Sequence, residues 1–214
     1  MGAGRKPVCV LGISGGSGSG KSWLAAYLKK RLGRAAAVMS QDWYYRDHAG
    51  LDSARARRLN FDRPDAIEMP LLVRDLASLH RGEAIETPRY DYAAHSRLPQ
   101  RHRLEPARVV ILEGLFTLTD RTLREQLDAS IYIDVPADVR LLRRVRRDID
   151  RRRVPAGETL RLYEHCVRPM HLEHIEPSQV HATWIWSQLD DRHFPRFMHL
   201  ELKRRLRSGT RPPR

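Results

Sequence analysis

Cysteine is nearly absent from these 214 residues: only Cys9 and Cys166 occur, far apart. A disulfide-built scaffold is therefore excluded, and a reducing compartment, the cytoplasm, is expected. No apolar run approaches the ~18 residues that a membrane-spanning helix requires. The apolar stretch near the N-terminus is broken early by Gly12, Gly15 and Gly16, too soon for the core of a secretory signal. Lys6 stands where a myristoylation signal requires Ser or Thr. Lysine is also scarce, since five of the 39 basic residues are lysines and the rest are arginines. Against 26 acidic residues they leave a net charge of +13, a field that attracts nucleotides, nucleic acids and phosphorylated metabolites. The excess is spread along the chain and marks no single patch. Hydrophobic residues at 41% suffice for a core, and 30% charged residues are typical of a soluble globular protein.

Short apolar segments alternate with helical periodicity. Strands are expected at 6–14, 35–40, 107–114, 129–135 and 181–186, with a hairpin at 84–104 broken by Pro88 and Pro99. Helices are expected at 22–32, stopped by Gly33, from Pro70 to Gly82, at 120–127, from Pro136 through an Arg-rich run, from Gly157 to about Ile175, and from about Asp191 to Leu206. Residues 208–214 read as a frayed tail. The alternation implies an α/β fold with a mostly parallel sheet, here one domain over 1–214.

Gly15, Gly16, Ser17, Gly18, Ser19, Gly20, Lys21 and Ser22 match G-x-x-x-x-G-K-[ST] in full, between an expected strand and an expected helix. Glycines let backbone N–H groups converge on phosphate oxygens, and the helix N-terminus adds positive potential. Lys21 would reach the transferring phosphate, and the Ser22 hydroxyl would hold magnesium. The loop thus predicts ATP binding with Mg2+. No N-K-x-D motif follows, which argues against a GTPase, and the chain length favours a small-molecule kinase. Asp42 lies just past the second strand, at the carboxyl end where α/β ligand sites open, and can act as a proton acceptor. Glu113 ends the apolar run VVILE, where a carboxylate is costly unless it points into a site.

Further segments fall in order: QDWYYR (41–46), NFDRPDAI (60–67), PRYDYAAHSR (88–97), VVILEGLF (109–116), IYIDVPADVRLLRRVRRDI (131–149) and YEHCVRPMHLEHIEPS (163–178). With the phosphate loop they resemble the uridine-cytidine kinase family from about residue 8 to about 186. Phosphoribulokinases share the loop and parts of the core but generally not the YDY…H segment. The resemblance implies a phosphate-loop kinase fold with a mostly parallel five-stranded sheet, flanking helices, a nucleoside-binding hairpin and an Arg-rich lid at about 144–156. It implies transfer of the γ-phosphate of ATP to the 5′-hydroxyl of uridine or cytidine. Asp42 takes the family's place of catalytic base. Ser22, Asp42 and Glu113 take that of the magnesium ligands. Asp62 would bind the ribose diol, Phe61 and Tyr92 would sandwich the base, and Tyr90 and His95 would address its polar edge. Arg144, Arg147 and Arg152 coincide with lid positions that clamp phosphates and substrate. A homo-oligomer, a tetramer by resemblance alone, is implied; neither a membrane nor a nucleic acid is an expected partner. Rival readings are a kinase of the same fold for another hydroxyl substrate, and a catalytically silent nucleotide-binding protein that binds RNA.

His165, Cys166, His171 and His174 can be drawn as a zinc site, but the family has a metal-free helix there. Trp184 and Trp186 read as packing residues. The departures from the family pattern cluster beyond the lid. Arg151, Arg152, Arg153 and Val154 replace acidic, Arg, Gly and Arg; Leu162 replaces a Gln that contacts the nucleoside; and Ala182-Thr183 replaces Ala-Asp. A leucine offers no hydrogen bond, and each lost bond costs about 0.5–1.5 kcal/mol. We predict that Leu162→Gln lowers KM for uridine or cytidine in steady-state kinetics with little change in kcat. Tight uridine binding by the wild type that the substitution weakens would contradict this.

Overall fold

The computed structural model describes residues 9–48, 60–91, 94 and 96–208. Strand β1 (Cys9–Gly15) runs into the glycine loop, which leads into helix α1 (Lys21–Leu32). Strand β2 (Ala36–Ser40) follows, then a 3-10 turn over Gln41–Tyr44. Helix α2 (Met69–Arg81) carries Pro70 in its first turn, where no N–H is missed, and stops at left-handed Gly82. Strands β3 (Ile85–Asp91) and β4 (Ser96–Leu104) pair antiparallel, and the register shifts between Thr87 and Arg89, where Pro88 offers no N–H. Next come β5 (Val109–Glu113), α3 (Arg121–Arg124), β6 (Ala129–Asp134) and α4 (Ala137–Arg152). Helix α5 (Ala156–Leu162) continues through π-helical turns at Tyr163–Val167 and His171–Ile175, which flank the short α6 (Arg168–Met170). Strand β7 (Trp184–Ser187) and helix α7 (Phe194–Ser208) complete the described chain.

Five strands form one parallel sheet in the order β2-β5-β1-β6-β7, and β3 with β4 forms a separate two-stranded sheet. Strand side chains alternate between faces. Val10, Val110, Leu112 and Tyr132 join α2 residues Leu72, Leu76 and Leu79 on one face. Leu11, Ile13, Ile111 and Ile131 join Leu24 and Leu28 of α1 and Met198 and Leu202 of α7 on the other. With both faces covered, β1 and β5 are buried at every position. Trp186 stacks on Phe194 at 5.3 Å and donates from Nε1 to the Asp191 carbonyl, so it packs as expected.

One expected helix is shorter in the structure. The helix expected at 120–127 is one turn, capped by Asp120 Oδ1 accepting from Leu123 N at 2.8 Å. The chain then leaves helical geometry so that Leu127 lies against Gly12, where a Cβ would come within 2.6 Å of it, and Asp128 accepts from Val10 N. Thr183, in the place of the family's Asp, still ties two strands: its Oγ1 accepts from Ser130 N at 3.0 Å, and its N–H donates to Ser130 Oγ.

The corner between α4 and α5 carries a strain visible only in the backbone. Arg153 sits at φ 57, ψ 29, the sole non-glycine with positive φ among the described residues. Its N–H and that of Val154 both donate to the Asp148 carbonyl, a helix-ending pattern that glycine fills at least strain. A side chain there costs about 1–2 kcal/mol, partly offset by glycine's greater freedom when unfolded. Arg153→Gly should therefore stabilise the fold by about 0.5–1 kcal/mol, seen as a melting temperature about 1–4 °C higher; a fall would contradict the strain.

Candidate functional site

The site opens at the carboxyl ends of β1, β2 and β5. Gly15, Gly18 and Gly20 hold φ values of 143, 83 and 98, so the loop turns where other residues would strain. Lys21 folds back along it, and its Nζ donates to the carbonyls of Gly15 at 2.9 Å and Gly16 at 3.1 Å. Burial lowers its pKa, while Glu113 and Asp42 pull it back up. Arg140 braces the loop from outside: its guanidinium lies against Gly16, and its backbone carbonyl against Gly18. Arg140 donates through Nε to the Val135 carbonyl at 2.9 Å and meets His171 Nε2 at 3.0 Å. Burial, then Arg140, push His171 down to about 4, so it is neutral and its Nε2 accepts.

Glu113 stands at the centre, buried at the end of β5. Its Oε2 accepts from Ser22 Oγ at 3.2 Å and its Oε1 from Ser40 Oγ at 2.8 Å. One carboxylate thus joins the first turn of α1 to the end of β2. Asp42 follows on the 3-10 turn. Burial, then Glu113, raise its pKa to about 6 against the pull of Lys21. Sequence reasoning missed what holds that turn. Gln41 is fully buried, and its Oε1 accepts from Phe116 N at 2.8 Å. Its side chain fills the space a Cβ on Gly114 would need. The Gly after Glu113 was the available signal.

The arginines expected to clamp phosphates lie on α4 and converge on an acid that sequence reasoning had not singled out. Asp148, buried, receives Arg144 Nε at 3.5 Å, Arg147 Nε at 3.1 Å and Arg152 Nη1 at 3.7 Å. Arg144 Nη1 also donates to Ser17 Oγ at 3.0 Å and lies 3.7 Å from Asp62 Oδ1. Arg143 bonds Gln188 and reaches the Gly18 carbonyl at 3.5 Å.

Asp62 therefore belongs to the same cleft. Burial raises its pKa, and Arg144, Arg147, Lys21 and Arg152 oppose that. Phe61 meets Tyr45 edge-on at 5.7 Å, and Tyr45 meets Tyr90 at 5.3 Å, which joins the hairpin to the chain after β2. Arg97 fastens the hairpin, donating to the Tyr45 and Tyr44 carbonyls at 3.0 and 3.3 Å and pairing with Glu68 at 2.6 Å. Tyr92 and His95 lie outside the described residues. Leu162 is half-buried at the end of α5. His171 bonds Arg140 and His174 lies 3.4 Å from Glu173; among the described residues no three His, Cys, Asp or Glu side chains gather as a metal cluster.

Since Gly114 makes room for Gln41, and Gln41 holds the turn that carries Asp42, Gly114→Ala should displace that turn. We predict a loss of about 1–3 kcal/mol in urea denaturation, the usual cost of overpacking, together with a fall in catalytic rate. Unchanged stability and rate would show that the contact does not position Asp42.

A family model described as phosphoribulokinase / uridine kinase family matches residues 10–194. A uridine kinase of Staphylococcus epidermidis is 40% identical over 177 residues, covering 82% of this chain and 86% of that enzyme. One of Salmonella paratyphi B is 40% identical over 181 residues, covering 82% and 85%. Among solved structures, a candidate fructose transport system kinase from Silicibacter superposes with a TM-score of 0.71 at 25% identity, over 87% of this chain and 92% of that one. The Rhodobacter phosphoribulokinase has the same fold, with a TM-score of 0.54 at 17% identity over 79% and 68%. Loop, sheet order and matched sequence agree, and the chain belongs to the phosphoribulokinase / uridine kinase family.

Proposed function

We propose that this protein transfers the γ-phosphate of ATP to the 5′-hydroxyl of uridine or cytidine, giving ADP and the nucleoside monophosphate. The observation that carries the reading is the meeting of Lys21, Asp42 and Glu113 at the phosphate loop, with Asp62 and the α4 arginines facing the same cleft. Identity of 40% to named uridine kinases over most of the chain supports the choice of acceptor. On this reading the protein is a cytoplasmic enzyme of pyrimidine salvage.

The loop N–H groups and the start of α1 would receive the triphosphate. Lys21, now turned onto the loop carbonyls, would exchange those bonds for phosphate oxygens. Asp42 would take the proton of the 5′-hydroxyl as that oxygen bonds to phosphorus and the bond to the ADP oxygen breaks. Asp62 would accept from the ribose diol, and Phe61 and Tyr90, with Tyr92 and His95, would hold the base. Arg144, Arg147 and Arg152 would bear on the phosphoryl group in flight, where such charges are worth about 10³–10⁵ in rate. The donor set fits magnesium, a hard cation that takes hydroxyl and carboxylate oxygens together with phosphates. Ser22, Glu113 and Asp42 would hold it, and the Ser22–Glu113 bond brings two of these donors together. When bound, magnesium neutralises charge developing on the phosphates.

We predict that Asp42→Asn keeps ATP affinity and lowers kcat at least about a hundredfold, the effect of losing a positioned base. Lys21→Ala should abolish turnover and leave the circular dichroism spectrum unchanged. Steady-state kinetics with ATP and uridine check both. An Asp42→Asn enzyme within a few-fold of wild type removes Asp42 from the mechanism, and an active Lys21→Ala enzyme removes the loop.

A further inference from the structure

We infer that Asp148 is a positioning residue for phosphoryl transfer, a buried anion on which the three cleft arginines of α4 converge as one working group; the inference rests on the proposed kinase reading. Helical spacing makes the arrangement possible. Arg144, Asp148 and Arg152 stand four residues apart along α4, so they share a face, and Arg147 is the immediate neighbour of the acid. The Asp148 side chain is 6% exposed, and those of Arg144, Arg147 and Arg152 are 11%, 33% and 44% exposed. The acid is fixed, and the long cations reach in to it.

The contacts of Arg144 and Arg147 with the acid involve Nε and not the guanidinium tips. Arg147 donates from Nε to Asp148 Oδ1 at 3.1 Å, and Arg144 Nε faces Asp148 Oδ2 at 3.5 Å as an ion pair. A guanidinium that faces the acid with Nε keeps its two terminal nitrogens for a second partner. Arg144 already uses Nη1 in that way, toward Ser17 of the loop and Asp62. The three guanidiniums also outnumber the two carboxylates beside them, Asp148 and Asp62, which favours a dianionic phosphoryl group beside the loop. The Asp148 carbonyl, accepting from the N–H groups of Arg153 and Val154, anchors the same residue at the helix end. The backbone thus fixes the carboxylate, and the carboxylate fixes the arginines.

Asp148→Asn keeps size and the backbone bonds and removes the charge. The expected result is a kcat lower by about 10²-fold, the scale of a misplaced catalytic group, with KM for ATP little changed. Asp148→Glu, which restores a carboxylate, should recover most of the lost rate; a merely structural role would not follow the charge in this way. Calorimetric binding of ADP with magnesium, with and without aluminium fluoride, gives a second readout independent of the acceptor. The wild type should bind ADP more tightly when the planar phosphoryl mimic is present, and Asp148→Asn should bind ADP alone normally but lose that tightening. Asp148→Ser serves the same measurements if the Asn variant does not fold. Wild-type rate in the neutral variants, equal tightening in both proteins, or no tightening in the wild type overturns the inference. A wild type that tightens on the mimic but leaves uridine untouched overturns the choice of acceptor and not the role of Asp148.

Discussion

One buried carboxylate organises this molecule's cleft. Glu113 ends a strand with no exposed residue, and an isolated charge in such a place costs several kcal/mol or more. It is retained because its surroundings answer it: hydroxyls from α1 and β2 bond its two oxygens, and the cation of Lys21 lies within electrostatic reach. Those partners come from two segments, the start of α1 and the end of β2, and Glu113 itself ends a third. Satisfying Glu113 therefore sets the glycine loop, the end of β2 and the turn bearing Asp42 relative to one another. The parallel sheet supplies the geometry, since β5 lies between β1 and β2 and all three open at the same end.

Charge of the opposite sign is handled in the same manner. Among the many arginines, those of α4 are organised: one buried acid collects three guanidiniums, and a fourth arginine, Arg140, supports the loop. Two buried acids thus organise charge here: Glu113 bonds hydroxyls of α1 and β2, and Asp148 pairs with arginines of α4. Lys21, Asp42 and Asp62 each have a pKa moved by burial and by charged neighbours, the pattern that the proposed proton and phosphoryl chemistry calls for.

Much of this was legible in the sequence because it is local. The glycine loop, Gly33 and Gly82 as helix stops, and the strands around Val10, Ile111 and Ile131 follow from spacing and from the steric needs of backbone turns. Lys21, Ser22, Asp42 and Glu113 stood out as candidates because each sits at a strand or helix end. What escaped depends on partners distant in sequence. Gln41 reads as an ordinary polar residue until Phe116 and Gly114 are brought beside it, and Arg97 until Glu68 and the carbonyls of Tyr44 and Tyr45 are. Asp148 looked like one charge in a mixed run, and no periodicity distinguishes a buried acid from an exposed one there. Arg153 stood out as a departure from a family glycine, but its positive φ is a property of the backbone alone.

The central claim is that this cleft moves a phosphoryl group from ATP to the 5′-hydroxyl of a pyrimidine nucleoside. Phosphorus-31 NMR of the protein mixed with ATP, magnesium and uridine tests it most directly, because it identifies both products as they form. The account predicts ADP and uridine 5′-monophosphate appearing in equal amounts, with cytidine behaving alike. ADP accompanied by free inorganic phosphate, or ATP left intact until some other hydroxyl compound is supplied, would contradict it.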